Sequence, residues 1–195
     1  MQYDDAYAEM GDIASAHARE YALRHSYGIY VSRTVPTFCT PFWRKIHLIR
    51  WALENPEWDY IYWMDADTLI LDMDFPIDRL RGGKDALLDI STDDWGICAG
   101  IFGVRNCDWS HQLLDTWIFL GDVRGTCPGV TNSGDQAPLM LMDKYFASVG
   151  DKVNRIPQEV ISNPQSKQKG TFMHHWWSRI TDKGTIVLQM SNLLT

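Results

Sequence analysis

The sequence contains little of what several protein classes require. Four cysteines occur in 195 residues and no two form a C-x-x-C pair, which argues against both a zinc site and a disulfide-stapled scaffold. No run of Lys and Arg is longer than two, and the net charge is −7, which argues against a nucleic-acid-binding surface. No apolar run reaches membrane-spanning length, and the N-terminus does not resemble a signal peptide.

The composition instead favours a globular domain. With 45% hydrophobic residues, a chain of this length can bury a sizeable core, so we expect a single domain over residues 1–195. The nine Trp and eight Tyr are many for this length. We expect most of them in the core and some of them along a groove, because aromatic faces also line sugar sites. Localisation stays open: soluble as given, cytoplasmic in a bacterial or viral protein, or Golgi luminal in a eukaryotic fragment.

One stretch carries the strongest chemical signal, residues 60–67 with the sequence YIYWMDAD. The apolar residues predict a buried strand, and the carboxylates of Asp65 and Asp67 follow on one side of its carboxyl end. Two fixed carboxylates repel each other unless a cation neutralises them, and a hard divalent ion would then hold a diphosphate. The Asp-x-Asp spacing alone does not show a metal site, because a chain with 20 Asp contains about two such triplets by chance. Two triplets do occur, and the second is formed by Asp72 and Asp74.

The surrounding sequence resembles one enzyme family. Residues 42–50 (FWRKIHLIR), 62–67 (YWMDAD) and 99–117 (AGIFGVRNCDWSHQLLDTW) are similar to motifs of the retaining GT-A glycosyltransferases of family 34, which include plant xyloglucan xylosyltransferases and fungal galactosyl- and mannosyltransferases. The last segment matches the family pattern A-G-x-F-x-x-R-N-x-x-W-S-x-x-L-L-D-x-W almost residue for residue. The resemblance selects the triplet at Asp65 and Asp67 over the triplet at Asp72 and Asp74.

The resemblance implies an α/β GT-A fold, Rossmann-like and typical of nucleotide-diphospho-sugar transferases. We expect a mostly parallel sheet with the site at the carboxyl ends of its strands. The family's first strand is missing, because residues 1–10 are polar and acidic, which predicts an N-terminally truncated domain. Residues 185–190 are expected to add an edge strand.

The resemblance also implies the metal and donor sites. A histidine within F-x-x-H-x-x-G ligates the metal in the family; Phe172, His175 and Ser178 fit that spacing with Ser in place of Gly, and His174 is the alternative. Lys45 is expected near the donor phosphates, although a solvated surface lysine has the same pattern. The predicted metal ligands are Asp65, Asp67 and His175, and the predicted donor-binding residues are Lys45, Asp65, Ala66, Asp67, Ala99 and Gly100.

Two further residues are expected to take part in catalysis. Asp135 would orient the acceptor hydroxyl and Gln136 would face the sugar, although Asp135 alone is also typical of a helix N-cap. The implied reaction moves a hexose or pentose from a nucleotide-sugar, a UDP-sugar by preference, to a glycan hydroxyl with retention of configuration. The expected cofactor is Mn²⁺, with Mg²⁺ as second choice because imidazole is a poor Mg²⁺ ligand.

Two other functions remain open at this point. A glycan- or nucleotide-binding module without catalysis would explain a missing first strand. A two-metal phosphoesterase could use both Asp-x-Asp triplets. Nucleic acid is not an expected partner, and a homo-oligomer is one way of completing the sheet.

Overall fold

The structure is a computed structural model that describes residues 1–33, 41–94, 96–123, 134–162, 171–176 and 182–195. The chain divides into two compact units, each built from non-consecutive segments. Unit 1 comprises Met1–Val35, Met64–Arg79 and Pro157–Thr195, and unit 2 comprises Pro36–Trp63 and Leu80–Ile156. The prediction of one domain over residues 1–195 stays a prediction.

The described residues contain both helices and strands, as expected of an α/β protein, but the two types follow one another in runs rather than in strict alternation. The helices are α1 (Ala8–His25), α2 (Pro41–Ala52), α3 (Asp108–Val123), α4 (Gln136–Tyr145), α5 (Ala147–Gly150) and α6 (Lys183–Leu194). The strands are β1 (Tyr60–Met64), β2 (Thr68–Ile70), β3 (Leu88–Asp93), β4 (Gly96–Arg105), β5 (Val153–Ile156), β6 (Ile161–Ser162) and β7 (Met173–His175).

Unit 2 is organised on a four-stranded sheet with the order β1-β4-β3-β5. Apolar residues at helical spacing from Phe42 to Leu53 predict a helix, and the structure has α2 there, with Leu53 directly after its last residue. Of these residues Phe42 is 37% exposed, whereas Ile46, Ile49 and Leu53 are buried. They share one hydrophobic cluster with Phe102 of β4 and Trp117 of α3. The helices α2, α3 and α4 therefore contribute to the same core as the sheet.

Unit 1 contains a three-stranded sheet with the order β2-β7-β6. Its hydrophobic cluster includes Met10 and Ala14 of α1 and Ile186 and Met190 of α6. The prediction of an edge strand over residues 185–190 is wrong, because this segment lies within α6. The carboxylate of Asp182 caps that helix by accepting the Thr185 N–H at 3.0 Å.

The N-terminal residues are more buried than their polarity suggests. Gln2 forms an isolated parallel bridge with Ser32, and the Tyr3 N–H donates to the Ser32 carbonyl at 3.1 Å. Met1 and Tyr3 are buried in the cluster of unit 1. Residues 1–3 thus supply extended backbone to unit 1, without forming a strand of either described sheet.

The α/β class is confirmed, but the described strand pairings are mixed rather than mostly parallel. Strand β3 is antiparallel to β4 and parallel to β5, and β7 is antiparallel to β2 and parallel to β6. Across the residues that the structure describes, no helix is both long and apolar enough to cross a membrane.

Candidate active-site residues

The Asp-x-Asp triplet of unit 1 lies between two strands, where backbone pairing brings a histidine to it. Residues 65–67 connect β1 to β2, and β2 pairs antiparallel with β7 so that Thr68 faces His175. The Trp176 N–H donates to the Asp67 carbonyl at 2.8 Å and continues that pairing by one residue. The register therefore fixes His175 beside Asp67, although 108 positions of sequence (175 − 67) separate them.

Asp65, Asp67 and His175 form a cluster with the geometry of a divalent metal site. One ligand atom from each lies within 4.8 Å of the others, and the His175 Nε2 is 3.4 Å from the Asp67 Oδ1. Two ligands on one ion lie at most about twice the bond length apart, roughly 4–5 Å for such cations. Asp67 and His175 are each 7% exposed, so the two side chains are held in place. The cluster can hold one divalent cation.

The neighbouring histidine is not part of this cluster. His174 alternates with His175 along β7, and its ring meets Trp176 edge-on with 5.5 Å between centroids. The choice of His175 over His174 therefore agrees with the geometry. Ser178, the third position of the histidine motif, lies outside the described residues.

The second Asp-x-Asp triplet has a structural role. The Asp72 carboxylate accepts the Asp74 N–H at 3.0 Å, which is the geometry of an Asx-turn. The Asp74 carboxylate pairs with Arg24 of α1 at 2.9 Å. Over the described residues, the group of three or more possible metal ligands contains neither Asp72 nor Asp74. A two-metal phosphoesterase is therefore not favoured.

The predicted catalytic residues lie in unit 2, around a buried ion pair. The Lys45 Nζ is 3.0 Å from the Asp135 Oδ2 and donates to the Ala99 carbonyl at 2.8 Å. Lys45 is 4% exposed, so its interpretation as a solvated surface lysine is wrong. Asp135 stands at the N-cap position of α4, but its side chain makes no capping hydrogen bond. Its carboxylate is directed to Lys45 instead.

A bulge in β4 explains why side chains reach the backbone at Ala99. Between Ile90 and Ser91 the register of β3 on β4 shifts, so that residues 99–101 have no partner in β3. The Ala99 N–H donates to the Gln136 Oε1 at 3.3 Å. The Ser91 hydroxyl lies within 3.1 Å of the Cys98 carbonyl. Side chains from β3, α2 and α4 thus form hydrogen bonds with the backbone at the bulge and next to it.

Two supporting residues were not found from the sequence. Ser91 lies on β3 with no motif around it. Trp117, which apolar spacing predicts to be core, is fully buried but also donates its indole N–H to the Asp135 carbonyl at 2.6 Å. The rule that a buried indole N–H usually has a partner was the available signal, but it names no partner.

The predicted site residues therefore fall into two clusters, one in each unit. Asp65, Ala66, Asp67 and His175 belong to unit 1, where Ala66 is buried in the hydrophobic cluster. The other predicted residues, Lys45, Ala99, Gly100, Asp135 and Gln136, belong to unit 2.

Comparison with known proteins extends these observations. A family model described as the galactosyl transferase GMA12/MNN10 family matches residues 5–81 and 79–187. The chain is 30% identical over 112 residues to galactomannan galactosyltransferase 1 of Cyamopsis tetragonoloba, covering 52% of this chain and 26% of that protein. It is 28% identical over 158 residues to a probable xyloglucan 6-xylosyltransferase 1 of Oryza sativa subsp. indica, and the match covers 73% of this chain and 34% of that protein.

A solved structure shows the same fold. The crystal structure of a glycosyltransferase involved in glycosylation of the major capsid of PBCV-1 has a TM-score of 0.74, with 16% identity, 94% of this chain covered and 92% of that one. This likeness confirms the predicted GT-A fold.

The curated relatives and the family model differ in how much of their length this chain covers. The chain spans about a third or less of the length of the curated relatives it matches. The family model, in contrast, matches nearly all of this chain, and the chain belongs to the galactosyl transferase GMA12/MNN10 family.

Proposed function

We propose that this chain is the catalytic domain of a metal-dependent retaining glycosyltransferase. It would transfer a hexose or pentose from a nucleotide-sugar, a UDP-sugar by preference, to a hydroxyl group of a glycan. The observation that carries the proposal is the cluster of Asp65, Asp67 and His175, whose ligand atoms lie within 4.8 Å of one another. The names of its relatives as galactosyl- and xylosyltransferases support the same reaction class.

The ligand chemistry favours Mn²⁺ as the cation. Carboxylate oxygens suit both Mg²⁺ and Mn²⁺, but imidazole suits transition metals better than Mg²⁺. When bound, the ion would neutralise negative charge on the departing diphosphate as a Lewis acid. Asp65 and Asp67 would hold it next to β2, and His175 would supply the third protein ligand from β7.

The environment of Asp135 bears on how configuration is retained. A carboxylate that is 5% exposed and paired with Lys45 at 3.0 Å is stabilised as an anion and shielded, which makes it a poor nucleophile. This supports a same-face reaction, with the leaving phosphate taking the acceptor proton, over a covalent sugar–Asp135 intermediate. Gln136, held on the Ala99 N–H, would contact the sugar through its amide.

A panel of nucleotide-sugars tests the proposal directly. UDP-glucose, UDP-galactose, UDP-xylose and GDP-mannose would each be added with and without Mn²⁺, and thermal unfolding and donor hydrolysis would be measured. At least one donor should raise the unfolding temperature only when Mn²⁺ is present, because a ligand that binds the folded state stabilises it. No metal-dependent binding of any donor would contradict the proposal.

Substitutions in the two Asp-x-Asp triplets provide a matched comparison. Asp65→Asn, Asp67→Asn and His175→Ala should each abolish or strongly weaken Mn²⁺ binding, because each removes one ligand. Asp72→Asn is the control, since an amide oxygen can still accept the Asp74 N–H in the Asx-turn. Titration with Mn²⁺ should give one site in the wild type and in the control. Wild-type affinity in either Asp65→Asn or Asp67→Asn would remove that residue from the ligand set.

The same experiments separate the enzyme from a non-catalytic binding module. Donor binding that depends on Mn²⁺, without hydrolysis or transfer to any glycan offered, would favour the module. Release of free sugar from the bound donor would favour the transferase.

A further inference from the structure

Trp117 combines a core position with a specific polar contact. It lies on α3, is fully buried, and packs against the ring of Phe102 with 5.5 Å between centroids. Its indole N–H donates to the Asp135 carbonyl at 2.6 Å. The core therefore holds the indole ring in place, and the indole N–H points to the carbonyl of Asp135, the N-cap residue of α4.

The carbonyl that Trp117 contacts lies at a junction of the candidate site. Asp135 precedes α4 and makes no capping hydrogen bond with its own side chain. The Asp135 carboxylate forms an ion pair with Lys45. The side-chain oxygen of the next residue, Gln136, accepts a hydrogen bond from the Ala99 N–H. The hydrogen bond from Trp117 therefore restrains the peptide group that joins Asp135 and Gln136, the two residues whose side chains contact Lys45 and Ala99.

We propose that Trp117 is a positioning residue, whose indole N–H holds the Asp135–Gln136 peptide so that Gln136 stays on the β4 bulge and Asp135 stays on Lys45. The proposal rests on the proposed function, in which this corner of unit 2 contacts the sugar. Groups that must meet a transition state lose much of their effect when they are misplaced by about 1 Å.

The chain offers a closely matched control in Trp43. This tryptophan is also in the core of unit 2 and is 1% exposed. Unlike Trp117, its indole Nε1 has no hydrogen-bond partner among the described residues. Trp117→Phe and Trp43→Phe remove the same atoms from the same core, but only the first removes a hydrogen bond to Asp135.

The experiment compares the two variants by kinetics and by hydrogen exchange. Hydrolysis of whichever UDP-sugar or GDP-mannose the wild type cleaves fastest would be measured with saturating Mn²⁺. Each rate would be divided by the concentration of Mn²⁺ sites measured by titration, so that a variant with less folded protein is still compared per folded molecule. We expect kcat to fall at least tenfold in Trp117→Phe, with a smaller change in KM, and to stay within about twofold of wild type in Trp43→Phe.

Exchange of the Ala99 amide, followed by NMR, reports on the same contact without needing activity. We expect it to become at least tenfold faster in Trp117→Phe, because Gln136 is released, and to remain near the wild-type rate in Trp43→Phe. The proposal is overturned if Ala99 exchange is no faster in Trp117→Phe than in Trp43→Phe, or if an active enzyme keeps its kcat in Trp117→Phe. If the wild type itself cleaves no donor, the proposed function fails, and Ala99 exchange alone decides whether Trp117 holds Gln136.

Discussion

Replacing Lys45 by methionine should be far more damaging than the loss of a typical surface charge. Methionine keeps a similar length and apolar stem but removes the ammonium group. The Asp135 carboxylate would then lose its partner at 3.0 Å, while both side chains of this pair are 5–7% exposed. The Ala99 carbonyl would lose a hydrogen bond as well. Water cannot replace these interactions without opening the core.

The expected magnitude follows from burial. Removing one partner of a buried ion pair typically costs about 3–5 kcal/mol, because an uncompensated charge remains in a poorly solvated site. The pair of Arg24 with Asp74 is the control, because its separation of 2.9 Å is similar but its side chains are 43% and 90% exposed. Arg24→Met should therefore cost less than about 1 kcal/mol.

Equilibrium urea unfolding, followed by circular dichroism, would measure these differences. The double variant Lys45→Met/Asp135→Asn removes both charges and should recover at least about 2 kcal/mol relative to the sum of the two single variants. A Lys45→Met cost as small as that of Arg24→Met would refute the argument. Strict additivity of the two single variants would refute it as well.

Features set by local sequence were predicted well. The apolar run before Asp65 is β1, and the helical spacing from Phe42 to Leu53 corresponds to α2. The spacing selects three buried residues, Ile46, Ile49 and Leu53, but it also selects the exposed Phe42 and omits the buried Trp43. His175 was selected by its spacing from Phe172. Its position beside Asp67 depends on the β2·β7 register, which a family motif encodes but the local sequence does not.

The wrong prediction for residues 185–190 shows how tertiary packing and capping override local preference. The segment TIVLQM is rich in strand-forming residues. Asp182, which lies outside that segment, caps a helix, and Ile186 and Met190 four residues apart then face the core of unit 1. Local propensity is a weak signal beside these two contributions.

The burial of Lys45 shows a different limit of sequence reasoning. A lysine near the start of an amphipathic helix usually extends its ammonium group into water. Here the ammonium group donates to the Ala99 carbonyl, 54 positions away in sequence. Ala99 has no pairing partner in β3, because the β3·β4 register shifts there. A bulge depends on the pairing of two strands, so it cannot be read from either strand alone.

Two further predictions concern the tyrosines of β1. Burial raises the pKa of Tyr60, and the neighbouring Asp89 carboxylate acts in the same direction, so the folded state keeps a phenolic proton that the unfolded chain releases above about pH 10. Stability should fall as the pH rises through this range, and Tyr60→Phe should make urea midpoints less steeply dependent on pH there; an unchanged slope would contradict this. The second prediction is that Gly103→Ala destabilises unit 2. An added Cβ would lie 2.5 Å from the Tyr62 ring and 2.6 Å from the Tyr60 ring. Neither ring can withdraw freely, because both hydroxyls donate to Asp89, which is fully buried. Overpacking of this kind costs about 1–3 kcal/mol, or more where hydrogen bonds must also break. Gly83→Ala is the control, since an added Cβ there meets no atom within 4 Å. If urea unfolding shows equal stability for the two variants, the tyrosine rings are not held by Asp89 and can move aside without cost.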